Sequence, residues 1–372
     1  MDEGTPVDEK LRETRVRRSV RVETEALLAA LVAALVGSGL GLLLFRGSYS
    51  PIWQDFGSGW SVGLDASITV GVVGFVVSAV SYGRSLRLPA QAWRRRLQWW
   101  KLIVDGAAIA TVHAALATLA TGTIFFVLQH AFRRLAIGTY VATFALAVST
   151  GLAAYLLYLS VTRLTSVTLW ERLLLFMIGG VLLAMATSSD PIWWRYHFSH
   201  LGAVGGWPSL IFNATMVITG VLVVTFALYI DRDVRLLRRR TGIGFRWSGP
   251  VISALVVALG VSLAGIGLVQ VNVSLVLHNL VAGSTALIFA VLLFVSSAAL
   301  WGMPWSFHVT TLAILAILAA DVWLRFQVNY FNLTSFELVA FVILFGWIAI
   351  LVRFIAALLG AGTAGPDTTP EP

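Results

Sequence analysis

The chain contains no cysteine among its 372 residues, and only 12% of its residues are charged. Without cysteine it has no disulfides, no thiolate metal ligands and no cysteine nucleophile. A soluble domain carries about 25% charged residues, so this chain has too little charge to cover a surface that faces water. Because 58% of its residues are hydrophobic, we expect its natural solvent to be lipid.

Ten apolar stretches are each long enough to cross a bilayer, which takes about 20 helical residues. They lie at roughly 24–45, 61–83, 102–129, 137–161, 170–187, 208–230, 248–270, 274–300, 304–324 and 334–360. Helices satisfy every backbone polar group inside lipid, and the short alternating segments typical of a β-barrel do not occur. The sequence therefore predicts an all-α polytopic membrane protein with about ten transmembrane helices.

The distribution of lysine and arginine predicts the orientation. If the N-terminus lies inside, 21 of the 26 basic residues fall on the inner side. The outer side then carries five: Arg46, Arg133, Arg134, Arg195 and Arg325. Inner loops of membrane proteins are enriched in positive charge, so both termini are expected in the cytoplasm. The net charge of +8 is explained by this topology, and no nucleic-acid partner is expected.

The membrane region divides into four plus six helices. We expect a basic, partly disordered cytoplasmic arm at 1–23, a four-helix unit at 24–165, a six-helix unit at 168–360 and a disordered tail at 361–372. Similar stretches begin at Pro51-Ile52-Trp53 and Pro191-Ile192-Trp193, about 140 residues apart. A parallel internal repeat would explain the match. Chance similarity between apolar stretches is the alternative.

A pattern in the six-helix half resembles a known family. Ser199, Leu201 and Gly202 are followed by Phe212-Asn213 and then by Gly220. This is similar to the bacterial membrane family called Domain of Unknown Function 998, to which Glu337 and Trp347 in the last helix also correspond. That family is distantly similar to the superfamily of the FGF-receptor-activating protein and the damage-regulated autophagy modulator, whose members are linked to lipid handling. The resemblance covers about half of the chain and implies a multi-pass protein of a prokaryotic plasma membrane.

Polar residues within and beside the spans gather on the predicted outer side. Ionisable groups are costly inside a membrane, so each is a candidate functional residue. Asp55, Asp65 and His130 lie on this side in the four-helix half, whereas Asp105, His113 and His308 lie deeper or toward the inside. In the six-helix half the candidate ligand-binding residues are Trp194, Arg195, His197, Ser199, His200, Asn213, His278, Asp321 and Glu337. They predict a polar pocket, open to the outer leaflet, for a lipid headgroup or another amphipathic ligand.

Several alternatives stay open. The chain could be a secondary transporter, or a metal-dependent hydrolase with His197, His200 and His278 as ligands. Ser199 could be a nucleophile with His197 or His200 as base, or a residue that caps helix 6, with Asn213 and Glu337 bonding between helices. No metal or cofactor is assigned, and enzymatic activity is left undecided. Membrane lipids are the expected partners, and a homo-oligomer and a separate membrane protein both remain open.

Overall fold

The computed structural model describes residues 6–47, 49–53, 60–132 and 135–361. Within these ranges, ten helices are long and apolar enough to cross a membrane. This confirms the predicted all-α polytopic class. The same ranges contain one short antiparallel strand pair, β1 (Ser50–Pro51) with β2 (Ala136–Ile137). Asp55, Arg133, Arg134 and the tail beyond residue 361 lie outside the described residues.

The chain divides into two compact units, and the first spans Met1–Leu164. Its helices are α1 (Pro6–Leu44), α2 (Val62–Ser85), α3 (Trp99–Ala131) and α4 (Thr139–Thr162). Helix α1 packs along α4, and α2 packs against both α3 and α4. A Cβ atom at Gly37 would lie 2.3 Å from Thr150 Oγ1, and the Thr150 hydroxyl donates to the Ala33 carbonyl at 3.1 Å. Small residues thus let α1 and α4 approach closely and bond through a hydroxyl.

The N-terminal arm differs from the prediction. Helix α1 begins at Pro6, so residues 6–23 continue the first span as helix and are not partly disordered. The reason is the spacing of charge in this segment. Glu13 and Arg17 lie 4.0 Å apart, and Arg21 bonds Glu25 at 3.0 Å. Opposite charges four residues apart favour a helix. The high density of charged residues in the same segment is what led to the prediction of a partly disordered arm.

The second unit spans Thr165–Pro372. Its helices are α5 (Ser166–Thr187), α6 (Gly206–Thr241), α7 (Ser248–Leu268), α8 (Leu275–Ala299), α9 (Trp305–Phe326) and α10 (Leu333–Ala361). Helix α6 is central and contacts α5, α7 and α10. A Cβ atom at Gly220 would lie 2.5 Å from the Gly260 carbonyl oxygen, so these glycines allow α6 and α7 to touch through their backbones. Gly220 of the family-like pattern therefore has a packing role.

Polar residues at the helix ends explain several boundaries in this unit. Thr165 forms a capping box with Thr168 at the start of α5, and the Ser274 hydroxyl accepts from Leu277 N at the start of α8. These contacts satisfy N–H groups that have no partner within the helix. Gly242 ends α6 with φ +75, a left-handed conformation that glycine adopts without strain.

The two units pair their helices differently. In the first, α1 and α2 both pack along α4. In the second, α5 packs against α6 and α10, and α8 packs mainly against α7. A conserved four-helix repeat would show α5 and α6 packed along α8 in the same way. The packing of α2 against α3 has a counterpart in α6 against α7, but the packing of α1 and α2 along α4 has none, so the internal repeat stays a prediction.

Candidate functional site

The loop between α5 and α6 carries most of the predicted site residues. It contains two short 3-10 helices, Trp193–Arg195 and Phe198–Gly202. The second is buried because Phe198 and Leu201 are both apolar and covered. The Phe198 ring packs against Phe212 of α6 and Phe341 of α10, with centroid distances of 5.2 Å and 5.5 Å. Apolar packing thus brings Ser199, one residue later, into the interior of the unit.

Ser199 lies between two imidazole rings. Its Oγ is 2.9 Å from His278 Nε2 and 3.1 Å from His197 Nδ1. The other ring nitrogen of His278, Nδ1, lies 2.6 Å from the carbonyl oxygen of Val269. A carbonyl can only accept, so His278 Nδ1 carries a proton, and in the neutral ring Nε2 accepts from the Ser199 hydroxyl. His197 Nδ1 then donates to the same hydroxyl oxygen.

The surroundings of His197 favour its neutral form. Burial, together with the neighbouring His200 and His278 rings, lowers the pKa of His197. Desolvation disfavours the charged form, so the ring stays neutral at ordinary pH. His197 is therefore a hydrogen-bond donor to Ser199 and brings no positive charge to the site.

Glu337 connects the loop to α10. Its carboxylate accepts from the backbone N–H of Phe198, at the start of the second 3-10 helix. The backbone N–H of Ser199 also bonds this carboxylate. The first N–H groups of such a helix have no partner within it, and a carboxylate satisfies them well. Glu337 thus fixes the position of this 3-10 helix.

Asn213 holds the other end of the same 3-10 helix. Its side-chain amide donates to the Gly202 carbonyl at 2.9 Å, and the Ser209 hydroxyl donates to the same oxygen. A Cβ atom at Gly202 would lie 2.4 Å from Asn213 Oδ1, so a larger residue would displace the amide. The Ser-x-Leu-Gly and Phe-Asn residues therefore form one buried hydrogen-bonded cluster, which we call the Ser199 network: Ser199, Gly202, Ser209, Asn213, His197, His278 and Glu337.

An exposed rim surrounds this network. Trp194 and Tyr196 are 47% and 51% exposed, and the guanidinium of Arg195 lies 5.4 Å from the centre of a Trp194 ring. Asn332, just before α10, donates to the Trp194 carbonyl at 3.1 Å. Arg195 makes no ion pair with any residue that the structure describes. The rim thus presents an aromatic face with an unneutralised positive charge.

Two predicted residues make no hydrogen bond to the Ser199 network among the described residues, although the His200 ring lies 5.4 Å from the His197 ring. His200 Nε2 is 3.4 Å from Asp190 Oδ2, a half-buried pair beside the rim. Asp321 on α9 is buried, but neither carboxylate oxygen has a hydrogen-bond partner among the described residues. Among the described residues, Asp321 is therefore not joined to the rest of the predicted site by a hydrogen bond.

The histidines outside the site bond neighbouring helices. His113 Nε2 on α3 lies 3.1 Å from Ser160 Oγ on α4, and His308 Nδ1 on α9 lies 2.9 Å from Ser297 Oγ on α8. Such side-chain bonds are common glue between membrane helices. His130 bonds its own helix at the Phe126 carbonyl, 2.9 Å away. These residues have structural partners already.

The metal-hydrolase alternative requires several side chains that could bind one metal ion together. Among the described residues, no three His, Asp or Glu side chains converge as a metal site requires. His197 and His278 instead share the Ser199 hydroxyl, and His200 pairs with Asp190. Binding sites of secondary transporters are typically formed by discontinuous helices. Each candidate span of the described chain is one continuous helix, so this feature of a transporter is not seen there.

If Ser199 is a nucleophile, the histidine that can act as its base is not one of the two that the sequence suggested. His200 does not bond Ser199, and His197 donates to it, so neither of the predicted histidines can take its proton. His278 Nε2 is the acceptor. Sequence spacing could not find this pair, because 79 residues separate the two side chains.

Comparisons with known proteins found no similar protein. No family model matches the chain, no curated protein matches it, and no solved structure matches it. The resemblance of the six-helix half to the Domain of Unknown Function 998 family therefore stays a prediction, while the ten apolar helices identify an integral, multi-pass membrane protein.

Proposed function

We propose that the rim of the second unit binds the phosphate-bearing headgroup of a membrane lipid. The observation that carries this proposal is the Trp194–Arg195 pair, held on a loop whose interior is fixed by the Ser199 network. Guanidinium groups pair with phosphate through two parallel hydrogen bonds. Tryptophan prefers the level of the headgroups at a membrane boundary. A guanidinium group next to a tryptophan is therefore well placed to bind a phosphate at the membrane surface.

Charge around the rim supports the same ligand. The nearest acid, Asp190, pairs with His200, and Glu337 is occupied by backbone N–H groups. His197 is neutral because burial lowers its pKa. Arg195 is therefore the group with charge to offer to an anion. The loop lies at the end of the second unit opposite Arg238, Arg239 and Arg240, which predicts a position in the outer leaflet of a prokaryotic plasma membrane.

Arg195→Gln should weaken headgroup binding. Exposed ion pairs contribute about 0.2–1 kcal/mol, so we expect a loss of about threefold. The measurement is photocrosslinking of a phospholipid with a photoreactive headgroup, quantified by mass spectrometry on the peptides of residues 188–205. Arg46→Gln removes the same charge at the same predicted face, in the first unit, and should leave the yield unchanged. Equal yields for Arg195→Gln and the unaltered protein would reject the proposal.

A second candidate function is acyl transfer from a lipid ester or amide. It is favoured by the bond from Ser199 Oγ to His278 Nε2, with His278 oriented by the Val269 carbonyl. A nucleophile, a base and a group that orients the base are the parts such chemistry needs. Ser199 Oγ would attack the carbonyl carbon, and its proton would pass to His278 Nε2 and then to the leaving group. The backbone carbonyl of Val269 replaces the carboxylate often found in this role.

An alkyl fluorophosphonate tests this candidate, because it labels only activated serines. Acyl transfer predicts labelling at Ser199 that is absent in Ser199→Ala. His278→Gln keeps hydrogen-bonding groups but cannot act as base, and should slow labelling about 100-fold or more. A folded protein that shows no label at Ser199 would leave the Ser199 network with a structural role alone.

A further inference from the structure

A cavity of about 250 Å³ lies at one end of the first unit. It is bounded by α1, by the segment that follows α2 and by the end of α4. Two arginines and two hydroxyl residues contribute polar groups, and the remaining wall is apolar. The principal lining residues are Arg18, Ser19, Val22, Leu88, Thr162 and Arg163. Among the residues that the structure describes, no acidic side chain lines it.

Neighbouring contacts hold the walls of this cavity in place. Glu23 of α1 accepts from the Tyr155 hydroxyl of α4 and lies 3.4 Å from Arg163 Nη2. The side-chain amide of Gln91, which is buried, donates to the Leu164 carbonyl. These bonds join the lining of α1 and of the 86–91 segment to the end of α4. The cavity is thus a built feature and does not depend on one mobile side chain.

Charge in the cavity is positive and only partly neutralised. Arg18 makes no ion pair with any described side chain. Arg163 shares Glu23 with Tyr155. The next acid along α1, Glu25, is already paired with Arg21 and Arg84. The lining therefore offers two guanidinium groups and the Ser19 hydroxyl to an anion.

The cavity lies where two candidate spans end. The first span begins at Val16 and the fourth ends at Thr162, so Arg18 and Arg163 lie at the level of lipid headgroups. The distribution of basic residues predicts that this is the cytoplasmic side, where anionic lipids attract basic clusters. Drug-sized ligands occupy about 300–1,000 Å³, so this smaller cavity fits a headgroup whose acyl chains stay in the bilayer along the apolar wall.

We propose that this cavity binds the phosphate of an anionic lipid headgroup through Arg18 and Arg163. Paired guanidinium groups match phosphate oxygens in geometry and charge. Ser19 provides a hydroxyl donor for a remaining oxygen, whereas the Thr162 hydroxyl donates to the Tyr158 carbonyl of its own helix at 2.9 Å. This site is separate from the rim of the second unit and does not depend on the function proposed there.

Native mass spectrometry of the full-length protein with phosphatidylglycerol tests the proposal. Every protein carries Arg195→Gln, so that the rim of the second unit does not contribute. The double variant Arg18→Gln/Arg163→Gln should bind phosphatidylglycerol about tenfold more weakly, because hydrogen bonds to charged groups are among the stronger ones. The matched control Arg17→Gln/Arg95→Gln removes the same charge from residues outside the cavity and should keep the affinity.

Other outcomes would overturn the proposal. An equal loss in the control would mean diffuse attraction between charges, and unchanged binding in the double variant would mean that the cavity is not the site. Glycerol 3-phosphate competing as strongly as phosphatidylglycerol would assign the cavity to a soluble phosphate. Arg163→Gln also breaks the contact with Glu23, so Arg18→Gln is measured alone. Arg18 has no ion pair to lose, and its variant should show a loss without a change in folding.

Discussion

Asp105→Ala should be the most damaging single substitution in the first unit. Asp105 and Arg94 are both fully buried, with Arg94 Nε 3.9 Å from Asp105 Oδ2, and Tyr82 donates to the same oxygen at 2.6 Å. Removing the carboxylate leaves a buried guanidinium without its counter-charge, which costs about 3–5 kcal/mol in free energy of unfolding. The measurement is the unfolding midpoint of the purified protein in mixed micelles with increasing dodecyl sulfate.

A paired replacement separates the effect of charge from that of shape. Arg94→Met with Asp105→Leu removes both charges and fills similar volumes. Replacing both members of a buried pair by apolar residues is often neutral or stabilising, so the double variant should recover most of the loss. Tyr82→Phe removes one hydrogen bond to the carboxylate and should cost less, about 1.5–3 kcal/mol. If Asp105→Ala unfolds at the midpoint of the unaltered protein, the ion pair does not stabilise this unit.

Glu337→Leu should loosen the Phe198–Gly202 helix of the second unit. The carboxylate accepts from the Phe198 N–H, which is buried and loses its partner in the variant. A hydrogen bond to a charged group contributes about 1.5–3 kcal/mol, so local opening should increase by about 10- to 100-fold. Hydrogen–deuterium exchange of the peptide that covers residues 196–203 measures this directly.

Glu337→Gln is the matched control for that substitution. The amide oxygen of glutamine can still accept from Phe198, so exchange should rise much less than in Glu337→Leu. If the Ser199 network positions the rim, lipid crosslinking should fall with Glu337→Leu and be largely kept with Glu337→Gln. Unchanged exchange in Glu337→Leu would show that the remaining contacts hold this 3-10 helix without the Glu337 carboxylate.

The level of a candidate residue could be predicted from the sequence because membrane topology limits depth. Each span starts on a predicted side, so the distance of Asn213 or Glu337 from its helix start predicts the level at which it lies. The partners at that level were not predictable. Asp321 is at a similar distance from the end of its helix, yet it makes no hydrogen bond to the Ser199 network. Which side chains meet depends on the rotation of each helix about its axis, and polar residues this sparse do not determine that rotation.

The buried contact of Arg94 with Asp105 in the first unit could not be predicted from the sequence. The consecutive residues Arg94, Arg95 and Arg96 are among the basic residues whose distribution predicts the orientation of the chain, and Asp105 is predicted to lie deeper or toward the inside. In the structure Arg94 is buried against Asp105, while Arg95 and Arg96 stay exposed. Three identical neighbours in sequence have different environments, because the 3-10 helix Ala92–Arg96 turns one of them inward.

The sequence by itself determined that this protein is an α-helical membrane protein with ten spans. The physical reason is that about 20 apolar residues in a row have one stable solution in lipid, in which each helix satisfies its own backbone. The tertiary structure alone decided that Ser199 meets His278, that Glu337 holds Phe198, and that Arg18 and Arg163 share a cavity. These contacts depend on how helices pack, and packing is set by small differences in shape, such as those at Gly220 and Gly37, that act between segments far apart in the chain.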